Sequence, residues 1–407
     1  MKQTDTIWQN TSYLKLFIAQ VISLIGTGVS TICLGLLAWD LSKQDASIVL
    51  GTAFALKMLV YVGLSPFLGQ VLERFDRKKT LVTLDCLRGA MMLCLPFVTQ
   101  VWQVYVLMFF INACAAAFTP LYQASLPAVI ENEHHYTQAL SFSRLAFDLE
   151  QLISPILTAV LLTMFSYRVL FILDALTFAV SALLIFVCVI PATLTRGANF
   201  RRLSLQGIRG YLHQPKLRSL WFAYLAVASV SAMMIVNTVV YVHQILSGGQ
   251  TETALAMMIV GGGSILVALL LPKWLEHYSI RFTLVSGIVL LCISMALGIW
   301  SPDWIGFTVM CFLGGMGLAL VQTPAGLVIT QSSDEESRSA YFAAHFSLTH
   351  FWWFFTYLFA GWSASQFGLA NTYAVMILVC LLSLVCYLIS TTGSDRTKDK
   401  EAVVTKT

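Results

Sequence analysis

The chain has 407 residues, 58% of them apolar and 11% charged. A soluble domain carries about 25% charge, so polar side chains are too few here to cover a water-facing surface. Disorder, nucleic-acid binding and a disulfide-built secreted module are poor readings at the outset, and the long apolar blocks identify an integral membrane protein.

A bilayer-crossing helix needs about 20 mostly apolar residues, and twelve such stretches follow one another along the chain. In the first half they are 14–39, 48–71, 80–99, 102–124, 139–164 and 168–190; in the second, 219–246, 254–275, 282–300, 304–330, 339–366 and 371–391. The period-two alternation of a membrane β-barrel is absent, so the expected fold class is all-α and polytopic. The longest polar interval, 191–218, has six basic residues and no acidic ones, and Pro191, Gly197, Gly207, Gly210 and Pro215 punctuate it. It divides the chain into a six-helix bundle over 1–190, a basic linker over 191–218, a second six-helix bundle over 219–391 and a polar tail over 392–407.

Lys and Arg fall on alternate loops. With the N-terminus inside, 19 of the 24 lie on cytoplasmic segments and only Lys43 and Arg168 outside, while Lys57, Arg88 and Arg144 lie within spans. This bias predicts cytoplasmic termini and residence in a cytoplasmic (inner) membrane. The first apolar run, about 26 residues, is too long for a signal-peptide core, and no cleavable leader is expected. All nine cysteines fall inside spans with no CxxC pair, which suggests packing residues rather than disulfides or a thiolate metal site.

The two halves echo one another. Leu72-Glu73-Arg74-Phe75-Asp76-Arg77-Lys78-Lys79-Thr80-Leu81-Val82, between spans two and three, and the segment from Leu275 to Val285, between spans eight and nine, match at Leu, Glu, Thr, Leu and Val. A duplicated six-helix unit is the architecture of alternating-access transporters.

The loop Gly69-Gln70-Val71-Leu72-Glu73-Arg74-Phe75-Asp76-Arg77-Lys78-Lys79 resembles the signature G-x-L-x-D-R-x-G-R-[KR] of the major facilitator superfamily, with Glu73 for the usual Asp and Asp76 for the usual Gly. Gln20-Val21-Ile22-Ser23-Leu24-Ile25-Gly26, Asp85-Cys86-Leu87-Arg88 and Asp174-Ala175-Leu176-Thr177-Phe178 resemble its twelve-helix drug and siderophore efflux branch. The resemblance implies a cytoplasmic gate formed by Gly69, Glu73, Arg74 and Arg77, with Asp85 and Arg88 beneath it. The branch's span-five motif G-x-x-x-G-P-x-x-G-G keeps its proline as Pro155 and small residues around it, but Glu150, Ser154, Thr158 and Ala159 stand in place of its glycines.

Ionisable groups inside a membrane are costly and are functional candidates by default. In span five, Arg144 and Asp148 stand four apart on one helical face, spaced to pair. Glu150 points about 200° around the helix from Asp148 and needs another neighbour or a cavity. A desolvated carboxyl can take up and release a proton near neutral pH, so Glu150, Asp148 and Arg144 are the proton-coupling candidates. Asp85 with Arg88, Lys57 and Asp174 are expected to serve structure. Spans seven to twelve lack central charges. Polar residues expected at a substrate cavity are Gln20 and Asn112 in the first half and Asn237, Gln322, His345 and His350 in the second. The two histidines of span eleven are about 140° apart around a helix and cannot share one ion from it; Trp352 and Trp353 beside them suit packing or stacking on a substrate.

No nucleotide-binding P-loop or HExxH motif occurs, so an enzyme is not expected, nor a cofactor or a bound metal. The expected function is secondary active, proton-coupled efflux of a drug-like amphiphile or siderophore by alternating access. The expected partners are the small-molecule substrate, protons and the lipid bilayer, with no nucleic acid and a monomer sufficing to enclose a cavity. Export of a divalent metal of the nickel type is the first alternative; a non-transporting membrane sensor or receptor is the alternative of another class.

Overall fold

In the computed structural model the described residues are 7–64, 75–130, 133–190, 200–300, 303–333 and 335–404. Among them the regular structure is helical, without a strand. The first half contains α1 (Thr11–Ser42), α2 (Ala46–Leu59), α3 (Arg77–Cys94), α4 (Val101–Val129), α5 (Glu133–Leu162) and α6 (Tyr167–Phe186). A short helix, α7 (Phe200–His213), precedes α8 (Pro215–Ala232), which runs through a π-helical turn into α9 (Thr238–Gln244). Then follow α10 (Gln250–His277), α11 (Ile280–Trp300), α12 (Trp304–Gln322), α13 (Ala325–Gln331) and α14 (Glu335–Val404).

Local chemistry sets the ends. Asn10 caps α1 by accepting from the Ser12 and Tyr13 amides at 3.1 and 3.0 Å. Asp76 accepts from the Lys79 amide, and Asp303 from the Gly306 amide, each at 2.8 Å. These carboxylates satisfy orphan N–H groups and favour the positive end of the helix dipole. Pro215 stands in the first turn of α8, where its missing N–H costs nothing, so the helix begins inside the interval expected to be linker. That interval also contains α7, which carries Gly207 and Gly210 within a helix.

Ten helices among the described residues are long and apolar enough to cross a membrane. One of them, Ala340–Thr391, has 52 residues. At 1.5 Å per residue that is about 78 Å, more than twice a hydrocarbon core of about 30 Å. Its backbone breaks at Gly368, whose φ of 80° is open to glycine alone without strain, and the break separates spans eleven and twelve. With α5 as a further 30-residue helix, the fold accommodates the twelve expected spans. Large apolar side chains such as Phe97, Leu269 and Ile305 are more than 70% exposed on the surface, as lipid contact requires.

The chain packs as two compact units, Met1–Lys43 with Leu56–Ala198, and Gln44–Ala55 with Asn199–Thr407. In the first, Tyr13, Leu16, Leu81, Leu121, Leu126 and Ile185 belong to one buried apolar cluster. Glycine lets α1 approach its neighbours: a side chain at Gly26 would overlap Asp174 and Thr177, and one at Gly28 would overlap Ser154 and Glu150. In the second unit α10 and α12 meet backbone to backbone, Gly263 against Phe312 and Gly315 against Val260, and the Ser264 hydroxyl donates to the Gly315 carbonyl at 2.9 Å. The first turns of α2 join this unit through Gly51, whose Cα side lies against Tyr357 and Gly361.

Candidate functional site

Among the described residues of the first unit, two separate carboxyl sites lie inside the spans. One is Glu150 on α5. It lines a cavity of about 220 Å³ together with Phe17, Val21 and Ile25 of α1 and Phe142, Ala146 and Ile153 of α5. The α1 residues recur every fourth position and form one apolar stripe, so the carboxyl faces hydrocarbon on most sides. Lys57 of α2 is the charged group that acts on Glu150 electrostatically, and its ammonium also lies 5.9 Å from the Tyr61 ring centre. The Gln20 carboxamide oxygen accepts from Ser143 Oγ at 3.0 Å, a polar tie between α1 and α5. A larger, shallow hollow of about 540 Å³ beside Leu93, Phe97 and Trp102 carries no carboxylate.

The other site joins α1, α3 and α6. Arg88 bonds Asp85 at 3.3 Å, and Ser181 donates to the second Asp85 oxygen at 2.6 Å. Asp174 accepts from Ser30 at 2.5 Å and from Thr177 at 3.0 Å. Arg88 also reaches Thr27 at 3.5 Å and lies with its guanidinium carbon 4.0 Å from the Phe178 ring centre. Sequence spacing alone suggests the Asp85–Arg88 pair; the hydroxyls of Ser30, Thr177 and Ser181 carry no signal until the helices pack.

The remaining candidates are dispersed. Arg144 and Asp148 lie in α5, but their side chains are outside the described residues, as are Gly69, Glu73 and Arg74 of the loop motif. Arg77 is the first residue of α3, just after the Asp76 cap. Asn112 is buried and donates to the Met108 carbonyl of its own helix at 2.6 Å. Asn237, fully buried at the π turn, donates to Met233 Sδ at 3.2 Å and to the Ala360 carbonyl at 3.3 Å. Gln322 is half-buried at the break between α12 and α13.

The two histidines separate. His345 Nδ1 is 2.8 Å from the Tyr211 hydroxyl, and its ring meets Tyr224 edge-on at 4.6 Å. Burial pushes the Tyr211 phenol well up, so the hydroxyl in this contact stays protonated. His350 Nδ1 lies 2.7 Å from the Phe346 carbonyl one turn back. Trp352 stacks on Trp221 at 4.7 Å, and each indole N–H donates across to the partner helix at 3.0 Å. That pair locks α8 to α14.

Long apolar helices in two packed units, with carboxyls buried among them, define a polytopic membrane protein. The chain belongs to the Major Facilitator Superfamily, whose family profile matches residues 16–282 and 220–406. It is 23% identical over 77% of its length to YkuC, an uncharacterised transporter of this type from Bacillus subtilis, covering 77% of that protein. It is 29% identical to a second, YfiS, over 42% of this chain and 40% of that one. Macrolide efflux protein A of Streptococcus pyogenes is 23% identical over 42% of this chain and 43% of that protein. With two of these three the chain therefore shares less than half of the relative's length. The fold is that of a bacterial homologue of the human lysosomal transporter Spinster, solved inward-facing and occupied, at a TM-score of 0.75 and 12% identity over 95% of this chain and 98% of that one. The nucleoside transporter NupG superposes at 0.69 and 14% identity over 94% and 98%.

Proposed function

We propose that this transporter is a proton-coupled exporter of amphiphilic organic molecules, working by alternating access in a cytoplasmic membrane with both termini inside. The observation that carries the reading is Glu150: a carboxyl in an otherwise apolar cavity, held by close packing against Gly28 and influenced by Lys57. A carboxyl in such a place binds a proton readily, and a change in its exposure between two conformations releases that proton to one side of the membrane. The apolar walls suit a substrate with hydrocarbon surface, and the likeness to a macrolide efflux protein supports outward transport and a drug-like substrate. In this reading Arg144 and Asp148 share the coupling role with Glu150, and Glu73, Arg74 and Arg77 belong to the cytoplasmic gate. Gln20 is the polar substrate contact best placed near Glu150, through its bond to Ser143.

The test is accumulation of a labelled macrolide in inverted membrane vesicles, with and without an imposed proton gradient, for the wild type and Glu150→Gln. The expected result is gradient-driven accumulation that falls at least tenfold in the variant, with equal amounts of inserted protein. Accumulation that ignores the gradient and is unchanged by the substitution refutes the coupling role.

A further inference from the structure

The α1–α3–α6 site contains two carboxyls and one guanidinium, all buried: Asp85 and Asp174 are 0% and 1% exposed and Arg88 is 7% exposed. Two ionised carboxylates would leave a buried negative charge unbalanced, which burial strongly disfavours. Among the described ion pairs Arg88 serves Asp85 only; Asp174 is held by hydroxyls. The site nevertheless places the guanidinium between the two acids. On α1 its contact Thr27 is one turn from Ser30, the partner of Asp174; on α6 its contact Phe178 is one turn from Asp174, and Ser181, the partner of Asp85, is nearly one turn further. The Nε of this buried guanidinium makes no hydrogen bond, so a donor remains unspent inside the cluster.

We infer that Asp85, Arg88 and Asp174 form a second proton-binding site, an arginine-switched relay that holds one proton shared between two carboxyls. The structure shows Arg88 bonded to Asp85; in that arrangement the relay holds its O–H bond on Asp174. When Arg88 swings one turn to Asp174, that carboxyl gives up its proton to water reaching its end of the site. Asp85, left without its cation, forms an O–H bond with a proton from water at the other end. One O–H breaks and one forms, so the charge of the cluster is conserved. Asp174 and Ser181 are seven residues apart, so the proton's position shifts by about 10 Å along the helix axis. Among the described residues, the titratable and charged groups acting on the cluster are Cys33 from α1, acting on Asp174, and Cys114 from α4, acting on the Asp85–Arg88 pair; α3 and α6 contribute the three members themselves. Neither thiol supplies the missing positive charge. The inference deepens the proton-coupled reading and rests on it for its use in transport, but the sharing of one proton can be measured without any substrate.

The experiment is infrared spectroscopy of the protonated-carboxyl C=O stretch, on purified protein in lipid nanodiscs at neutral pH. Wild type is compared with Asp174→Asn, Asp85→Asn, Arg88→Gln and Glu150→Gln. Because one guanidinium neutralises one acid, each Asn variant is expected to lose the same single-carboxyl absorption, the surviving acid being ionised against Arg88. Arg88→Gln is expected to double that absorption, and Glu150→Gln to leave it in place. An absorption that persists in Asp85→Asn shows a plain structural acid at Asp174 and overturns the relay, as does an unchanged spectrum in Asp174→Asn. If an Asn variant fails to insert, the Arg88→Gln arm decides, and unchanged intensity there overturns the inference. A relay that passes this test while Glu150→Gln retains gradient-driven flux would relocate coupling; the reverse pattern leaves coupling at Glu150 and removes the relay.

Discussion

Tyr211 and His345 are 134 residues apart and meet at 2.8 Å, which is how the short helix α7 is held against the start of α14. Gly207 and Gly210 let the contact close, since a side chain at either would press on Ala340 or Tyr341 at about 3 Å. Tyr211→Phe removes the one hydroxyl and keeps the ring, so the expected loss is about 0.5–1.5 kcal/mol of local stability. Trypsin cleavage after Arg209 measures it: the variant is expected to be cut several-fold faster, and an unchanged rate would show that the aromatic packing alone holds α7. Single residues differ in how far the sequence reveals them. Glu150 stands out on reading because a charge inside an apolar stretch violates local composition. The use of Asp174 does not, because its hydroxyl partner Ser30 lies 144 residues away and serines are unremarkable in any span. His345 reads as an oddity, but its partner belongs to a segment expected to be linker.

At the scale of elements, hydropathy blocks mark the helices well and their ends less well. Blocks record where hydrocarbon is tolerated, whereas ends are set by caps such as Asn10, Asp76 and Asp303 and by the φ of Gly368. The two π turns, Val60–Leu64 and Met233–Asn237, leave no trace in hydropathy because they change the hydrogen-bond register and not the composition. Helix pairing is likewise hidden. The α10–α12 contact depends on Gly263 and Gly315, and in a membrane such close approach replaces the hydrophobic effect as the source of association. Gly315→Val sets a branched side chain against the Val260 carbonyl, and the helices have to separate. The expected cost is about 1–3 kcal/mol, visible as a fall of several degrees in the thermal inactivation temperature of purified protein. Gly262→Val, at a neighbouring position with open space around it, is expected to leave that temperature within a degree or two.

For the molecule as a whole, the proposed orientation makes a simple prediction. A fluorescent protein fused after Thr407 is expected to fluoresce, and an alkaline phosphatase fused there to be inactive; the opposite result would reverse the assignment from Lys and Arg. The solvent, the helical class and an approximate number of crossings are legible in the chain alone, since they follow from how each stretch of some 20 residues partitions between water and hydrocarbon. So is the superfamily, through a loop motif whose residues are contiguous. Which polar groups meet depends on how the helices pack: that Ser30 holds Asp174 and Ser181 holds Asp85, that Glu150 faces an apolar cavity with Lys57 acting on it, and that the first turns of α2 pack with the second unit. Those are contacts between residues remote in the chain. Inside a bilayer, where composition is uniformly apolar, nothing in a local stretch specifies its neighbour; close packing and the pairing of scarce polar groups do.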